Sequence, residues 1–124
     1  MKVIIGAGGS SQPGWISFNQ DDLDITRLTD WAKHFSKASI DCIVAEHVWE
    51  HLTMEQGFIA AVNCWLYLKP GGNLRLAVPD GLHPSFNYFN WVKPGNWING
   101  DDHKVCTRTE ALRESSKGHC FNAP

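Results

Sequence analysis

The order of apolar runs along the chain predicts an open, mostly parallel α/β sheet of four or five strands with flanking helices. Two observations carry this reading. Short β-branched runs stop at glycine or at Pro-Asp-Gly, as buried strands do, and stretches with helical spacing alternate with them. The length sets the scale, since 124 residues suffice for one domain with a real core and no more. Hydrophobic residues at 43% and charged residues at 19% are ordinary globular usage, which excludes wholesale disorder.

The first element is the run Lys2–Gly6, read as a buried strand, followed by the loop Gly6-Ala7-Gly8-Gly9-Ser10-Ser11. Trp15–Asn19 is the second strand. The connection between them is too short for the helix that a parallel crossover usually carries. Leu23-Asp24-Ile25 is either a very short strand or an extended loop. Arg27–Lys37 places Leu28, Trp31, Ala32 and Phe35 at helical spacing, with Thr26 as N-cap. Ile40–Ala45 is a β-branched strand. A second helix spans about residues 53–68, opened by the capping box Thr53-Met54-Glu55-Gln56. Its predicted buried stripe is Met54, Phe58, Ala61, Val62, Trp65 and Leu66. Lys69-Pro70-Gly71-Gly72 stops that helix and turns the chain into the strand Asn73–Val78. Leu82–Gly100 has no period of either kind and reads as a long loop, and Thr109–Lys117 as a last short helix. Residues 1–81 therefore form the core of a single domain over 1–124, with 82–124 an irregular segment.

Eleven basic against thirteen acidic residues leave a net charge of −2, which gives no electrostatic case for nucleic acid as a partner. No apolar run approaches the roughly 20 residues of a membrane span, and no stretch reads as a signal peptide. The four cysteines lie far apart and read as free thiols, so the expected location is the cytoplasm.

The chemistry concentrates where strands end. In open α/β sheets, ligands lie beyond the carboxyl ends of the strands. Gly6-x-Gly8-Gly9 lets backbone approach a ligand there and offer N–H groups to it. The third glycine of a dinucleotide fingerprint is replaced by Ser11, no long helix follows, and there is no phosphate-binding P-loop. A ligand without phosphates suits this loop better than a dinucleotide.

Gly6-Ala7-Gly8-Gly9, Pro13-Gly14-Trp15, Leu23-Asp24-Ile25-Thr26, Glu46-His47-Val48-Trp49-Glu50-His51-Leu52, Leu68-Lys69-Pro70-Gly71-Gly72 and Val78-Pro79-Asp80 occur in that order. Together they resemble the class I S-adenosylmethionine-dependent methyltransferases, in particular a small bacterial subgroup, over about residues 2–81. The resemblance implies a Rossmann-like fold and S-adenosyl-L-methionine as cofactor. It implies that Gly6, Ala7, Gly8 and Gly9 line the methionine moiety and that Asp24 and Ile25 border the adenine. Asn19 stands where the family has a ribose-binding acid, and its carbonyl can accept. Glu46 and His47 would sit near the sulfonium.

A base serves methyl transfer when the acceptor must shed a proton. The candidates are His47, Glu50 and His51, with Asp80, His83 and His103 on the acceptor side. The expected acceptor is a small molecule. Two alternatives stand beside this reading. One is a degenerate module that binds cofactor or oligomerises without turnover. The other is a zinc peptidase, because His47-x-x-Glu50-His51 on a helix would put both histidines on one face. The family's sheet ends in an antiparallel β-hairpin, for which no strand pair is found here. The strand 73–78 is then an open edge, to be covered either by the loop segment or by a second copy; a homodimer, edge to edge or face to face, is expected, with Trp91 and Trp97 as candidate anchors.

Overall fold

The computed structural model describes residues 1–81, 83–93, 104 and 121–122. The strands are β1 (Lys2–Ile5), β2 (Ile16–Phe18), β3 (Ile40–Glu46), β4 (Leu68–Ala77) and β5 (Phe121–Asn122). The helices are α1 (Leu28–His34), α2 (Met54–Tyr67) and α3 (Phe86–Val92), with a single 3₁₀ turn at Trp49–His51. The sheet order is β2-β1-β3-β4-β5, with the first four strands parallel and β5 antiparallel to β4. This is the open, mostly parallel Rossmann-like sheet that the sequence predicts.

Register explains the core. Val3 aligns with Ile43 and Ile43 with Leu74, while Ile5 aligns with Ala45 and Ala45 with Leu76. Residues that share a face of adjacent strands make one apolar layer. The connections β2-α1-β3 and β3-α2-β4 advance in the same direction, so right-handed crossovers place both helices on one face. There Trp31, Phe35, Ala60, Cys64 and Tyr67 close over Val3, Ile5, Ile43 and Ala45 in one continuous cluster.

Several expectations change. Thr26 does not cap α1; Arg27 holds that position without a side-chain bond, and the Thr26 hydroxyl donates to Asp24 Oδ1 at 2.6 Å. In α1 only Trp31 and Phe35 of the expected stripe are buried, and Leu28 and Ala32 are exposed. Of the two readings open for Leu23-Asp24-Ile25, the loop is the one found, with Leu23 and Ile25 buried in the core.

The capping box of α2 forms as expected: Thr53 Oγ1 accepts from Gln56 N–H, and Gln56 Oε1 accepts from Thr53 N–H. The buried face is another one. Ala60, Asn63, Cys64 and Tyr67 face inward, whereas Met54 and Phe58 are more than 70% exposed and Trp65 is 55% exposed. The surface opposite α2 selects this face, since Trp31 of α1 already occupies the layer. The rings of Trp31 and Tyr67 stack with centroids 5.2 Å apart and fill the layer. Small residues therefore take the close positions, and Asn63 Nδ2 donates to the Ile25 carbonyl at 2.9 Å.

Lys69-Pro70-Gly71-Gly72 does not precede the strand but lies inside it. Ile40 pairs with Leu68 and Cys42 with Asn73, so β4 bulges across these four residues. The segment read as a long loop contains α3, capped by Ser85 Oγ, which accepts from Tyr88 N–H at 3.3 Å. The expected open edge is partly covered, because β5 pairs with β4 at Asn73 and Leu74. The helix expected at Thr109–Lys117 and the anchor Trp97 lie outside the described residues. No helix among the described residues is long and apolar enough to cross a membrane.

Candidate functional site

The site begins where β1 runs out. Ile5 is the last strand residue, and Gly6 turns the chain with φ +66°. A side chain at Gly6 would collide with Val48 Cγ2, so glycine is required twice over, by conformation and by space. Gly8 also has positive φ, but a side chain there would enter open space.

Four of the loop's N–H groups are already engaged. Gly6 and Ala7 N–H both donate to the Phe18 carbonyl, at 2.9 and 3.2 Å, and Ser10 N–H donates to Ala7 O. Asn19 clamps the loop from β2: its Oδ1 accepts from Gly8 N–H at 2.9 Å and its Nδ2 donates to Gly8 O at 3.3 Å. Backbone donors committed in this way do not form an anion nest. The loop offers close approach rather than charge complementarity.

The opposite wall is the loop Leu23–Thr26. Two helices pin it through one atom, since Trp31 Nε1–H and Asn63 Nδ2–H both donate to the Ile25 carbonyl. The Asp24 carboxylate accepts from Thr26 N–H and its hydroxyl and pairs with Arg27 at 3.2 Å. Asp24 N–H in turn donates to Asp30, whose carboxyl is held below its ordinary value chiefly by the hydrogen bond from Lys33.

The third wall follows β3. Glu46 ends the strand and pairs with Arg75 of β4. His47 then takes a left-handed φ of +57°, uncommon for a residue with a side chain, and its N–H donates to Ala77 O at 2.9 Å. This turn lets the following 3₁₀ turn fold Glu50 back under His47. Glu50 is 3% exposed, and its Oε1 accepts from His47 Nδ1–H at 3.2 Å. Its second oxygen is buried and has no hydrogen-bond partner among the described residues.

Two adjoining cavities lie between these walls, of about 350 and 450 Å³. Both fall within the range of small-molecule sites. Gly6, Ile5 and His47 line both. Asp24, Ile25 and His51 line the first, and Ala7, Gly8 and Glu46 the second.

The structure thus brings together most of the residues that the sequence nominates. Gly9 is not on either wall, and Asn19 and Glu50 stand behind the walls as supports. Asp80 and His83 lie apart at the turn into α3, where His83 Nδ1 accepts from Ser85 N–H and its ring packs on Tyr88. His103 lies outside the described residues.

Several lining residues were not nominated as sites from the sequence, among them Gln20, Leu52, Gln56 and Lys104. Gln20 follows Asn19 directly, so the end of β2 was the signal for it. Nothing in sequence separation points to Leu52 or Gln56.

The helical premise of the zinc reading fails, since His47 sits on a left-handed turn and only Trp49–His51 is helical, as a single 3₁₀ turn. Among the described residues no group of three His, Cys, Asp or Glu side chains could hold a metal ion. No protein-family model matches this sequence, and no curated protein matches it.

Proposed function

We propose that the chain is an S-adenosylmethionine-dependent methyltransferase domain acting on a small-molecule acceptor. The observation that carries this reading is the joined pair of cavities at the carboxyl ends of β1 and β3, walled by the glycine loop, Asp24-Ile25 and His47. It is the place where a parallel α/β sheet binds its ligand. The engagement of the Gly6, Ala7, Gly8 and Ser10 N–H groups within the protein favours a ligand without phosphates.

The residues present fit the cofactor. Gly8 opens onto the second cavity with nothing a small side chain would meet, which leaves room for the methionine part. Asp24, Ile25 and Gln20 line the first cavity, where the adenosine part would be held. With the Asn19 amide engaged by Gly8, Gln20 is the side chain placed to take the ribose hydroxyls in its stead. When bound, S-adenosylmethionine supplies a methyl group already activated by its sulfonium.

The protein's part is positioning and proton transfer. A carboxylate only accepts hydrogen bonds, so Glu50 fixes the His47 proton on Nδ1 and leaves Nε2 with its lone pair. His47 side-chain atoms are 73% exposed and face both cavities, so Nε2 can take a proton from a hydroxyl or amine acceptor.

Titration calorimetry of the purified chain with S-adenosylmethionine and S-adenosylhomocysteine tests the proposal. Saturable heat near one ligand per chain is expected, and Gly8→Val should abolish it by filling the cavity. Absence of heat with either ligand at high micromolar concentration overturns the reading. The Asn19–Gly8 clamp also favours a second reading, a module that binds the cofactor without turnover. His47→Ala separates the two: as an enzyme it keeps binding and loses methyl transfer across a panel of hydroxyl and amine acceptors, whereas a pure binding module shows no transfer even as wild type.

A further inference from the structure

The outward face of α2 is the largest departure from what the sequence pattern predicts. Met54, Phe58, Val62 and Trp65 recur at intervals of four, four and three residues, the spacing of a face that packs against something. They are nevertheless exposed, at 76%, 72%, 40% and 55%, and Ile59 beside them at 38%. The stripe runs along about 16 Å of helix at a rise of about 1.5 Å per residue.

We propose that this face is the contact surface of a homodimer, covered by the same face of a second copy of the chain. Area is the first argument. Taking 150–250 Å² for a fully exposed large side chain, these five present on the order of 500 Å². A stable interface buries about 800 Å² per partner, and about 65% of a homodimer interface is apolar. The stripe therefore supplies the apolar core that such an interface needs and leaves only the polar rim to its surroundings.

Charge is the second argument. Glu55 is the sole charged residue of α2, so the face has nothing with which to attract a partner of opposite sign. It is by the same token self-complementary. A two-fold axis near Phe58 and Val62 pairs the stripes antiparallel, sets Met54 of one copy toward Trp65 of the other, and keeps the two Glu55 side chains at opposite ends. The site cavities lie at the carboxyl ends of the strands and are not part of the stripe, so this proposal does not depend on the cofactor reading.

Light scattering and sedimentation of the full chain over a concentration series provide the test. The wild type should be a dimer that dissociates on dilution. Phe58→Glu and Trp65→Glu should each weaken it at least tenfold, and the double variant should be monomeric with an unchanged far-ultraviolet circular dichroism spectrum. Where a glutamate variant loses that spectrum, Phe58→Ser and Trp65→Ser carry the same comparison. Trp91→Glu on α3 should leave the dimer intact. A wild type that stays monomeric overturns the proposal. A dimer that survives the double variant, or one broken by Trp91→Glu alone, also overturns it.

Discussion

Gly6 and Gly8 share a left-handed backbone but differ in their surroundings, which makes them a matched pair for measurement. An alanine in this conformation costs about 1–2 kcal/mol. At Gly8 that is the whole cost, because the new methyl group meets nothing. At Gly6 the methyl must also displace Val48, so overpacking raises the total to about 2–4 kcal/mol. Urea midpoints of Gly6→Ala and Gly8→Ala should differ in that order, and equal midpoints would contradict the close packing of Gly6 on Val48. Asp41 supports a pH prediction. The hydrogen bond from Lys69 first, and that from the N-terminal ammonium second, hold its carboxyl down at about 2 against an ordinary 3.8. A group with a depressed folded value stabilises above its unfolded value and loses that contribution as pH falls through the folded one. The wild type should therefore lose its advantage over Asp41→Asn between about pH 4 and pH 2, and a difference constant across that window would refute the pairing.

Individual elements differ in how much of them was readable from sequence, and α2 shows why. Its start was legible because the capping box is a local device, complete within four residues. Thr53→Ala should cost about 1 kcal/mol by chemical denaturation. An unchanged midpoint would mean that the reciprocal bonds between Thr53 and Gln56 contribute nothing in solution. The face that α2 buries was not legible, since helical spacing of apolar residues identifies a packing surface without saying what packs on it. The surface it packs on decides that, and here Trp31 of α1 fills the layer and takes Tyr67 of α2 as its stacking partner. β4 and α3 failed for the opposite reason. Pro70, Gly71 and Gly72 carry turn chemistry that the sheet absorbs as a bulge, and the Asn- and Pro-rich stretch hides a short helix. In the site, the residues next to strand ends were readable, because strand ends are where ligands bind. Leu52, at the end of the 3₁₀ turn, and Gln56, in the first turn of α2, reach the same cavity by a route that no local pattern reveals.

At the level of the whole molecule, one side chain ties the helical layer to the site. Trp31 is fully buried, stacks on Tyr67 of α2, lies 5.9 Å from the Phe35 ring, and donates through Nε1 to the carbonyl of Ile25. It therefore joins α1, α2, the core and the cavity wall in a single contact set. Truncating a buried tryptophan to alanine costs about 3–5 kcal/mol. Against a total stability of about 5–15 kcal/mol, that loss endangers the fold itself. Trp31→Ala should unfold at much lower urea, with helix and sheet signals lost together, because no layer closes without it. Trp31→Phe separates the ring from its hydrogen bond. It keeps an aromatic ring against Tyr67 while removing the N–H and part of the indole, and Asn63 Nδ2 still donates to Ile25 O. Its cost should stay near 1–2 kcal/mol, and the Leu23–Thr26 wall should remain in place. A Trp31→Phe variant as unstable as Trp31→Ala would show that a smaller aromatic ring at this position cannot hold the helical layer to the Leu23–Thr26 wall.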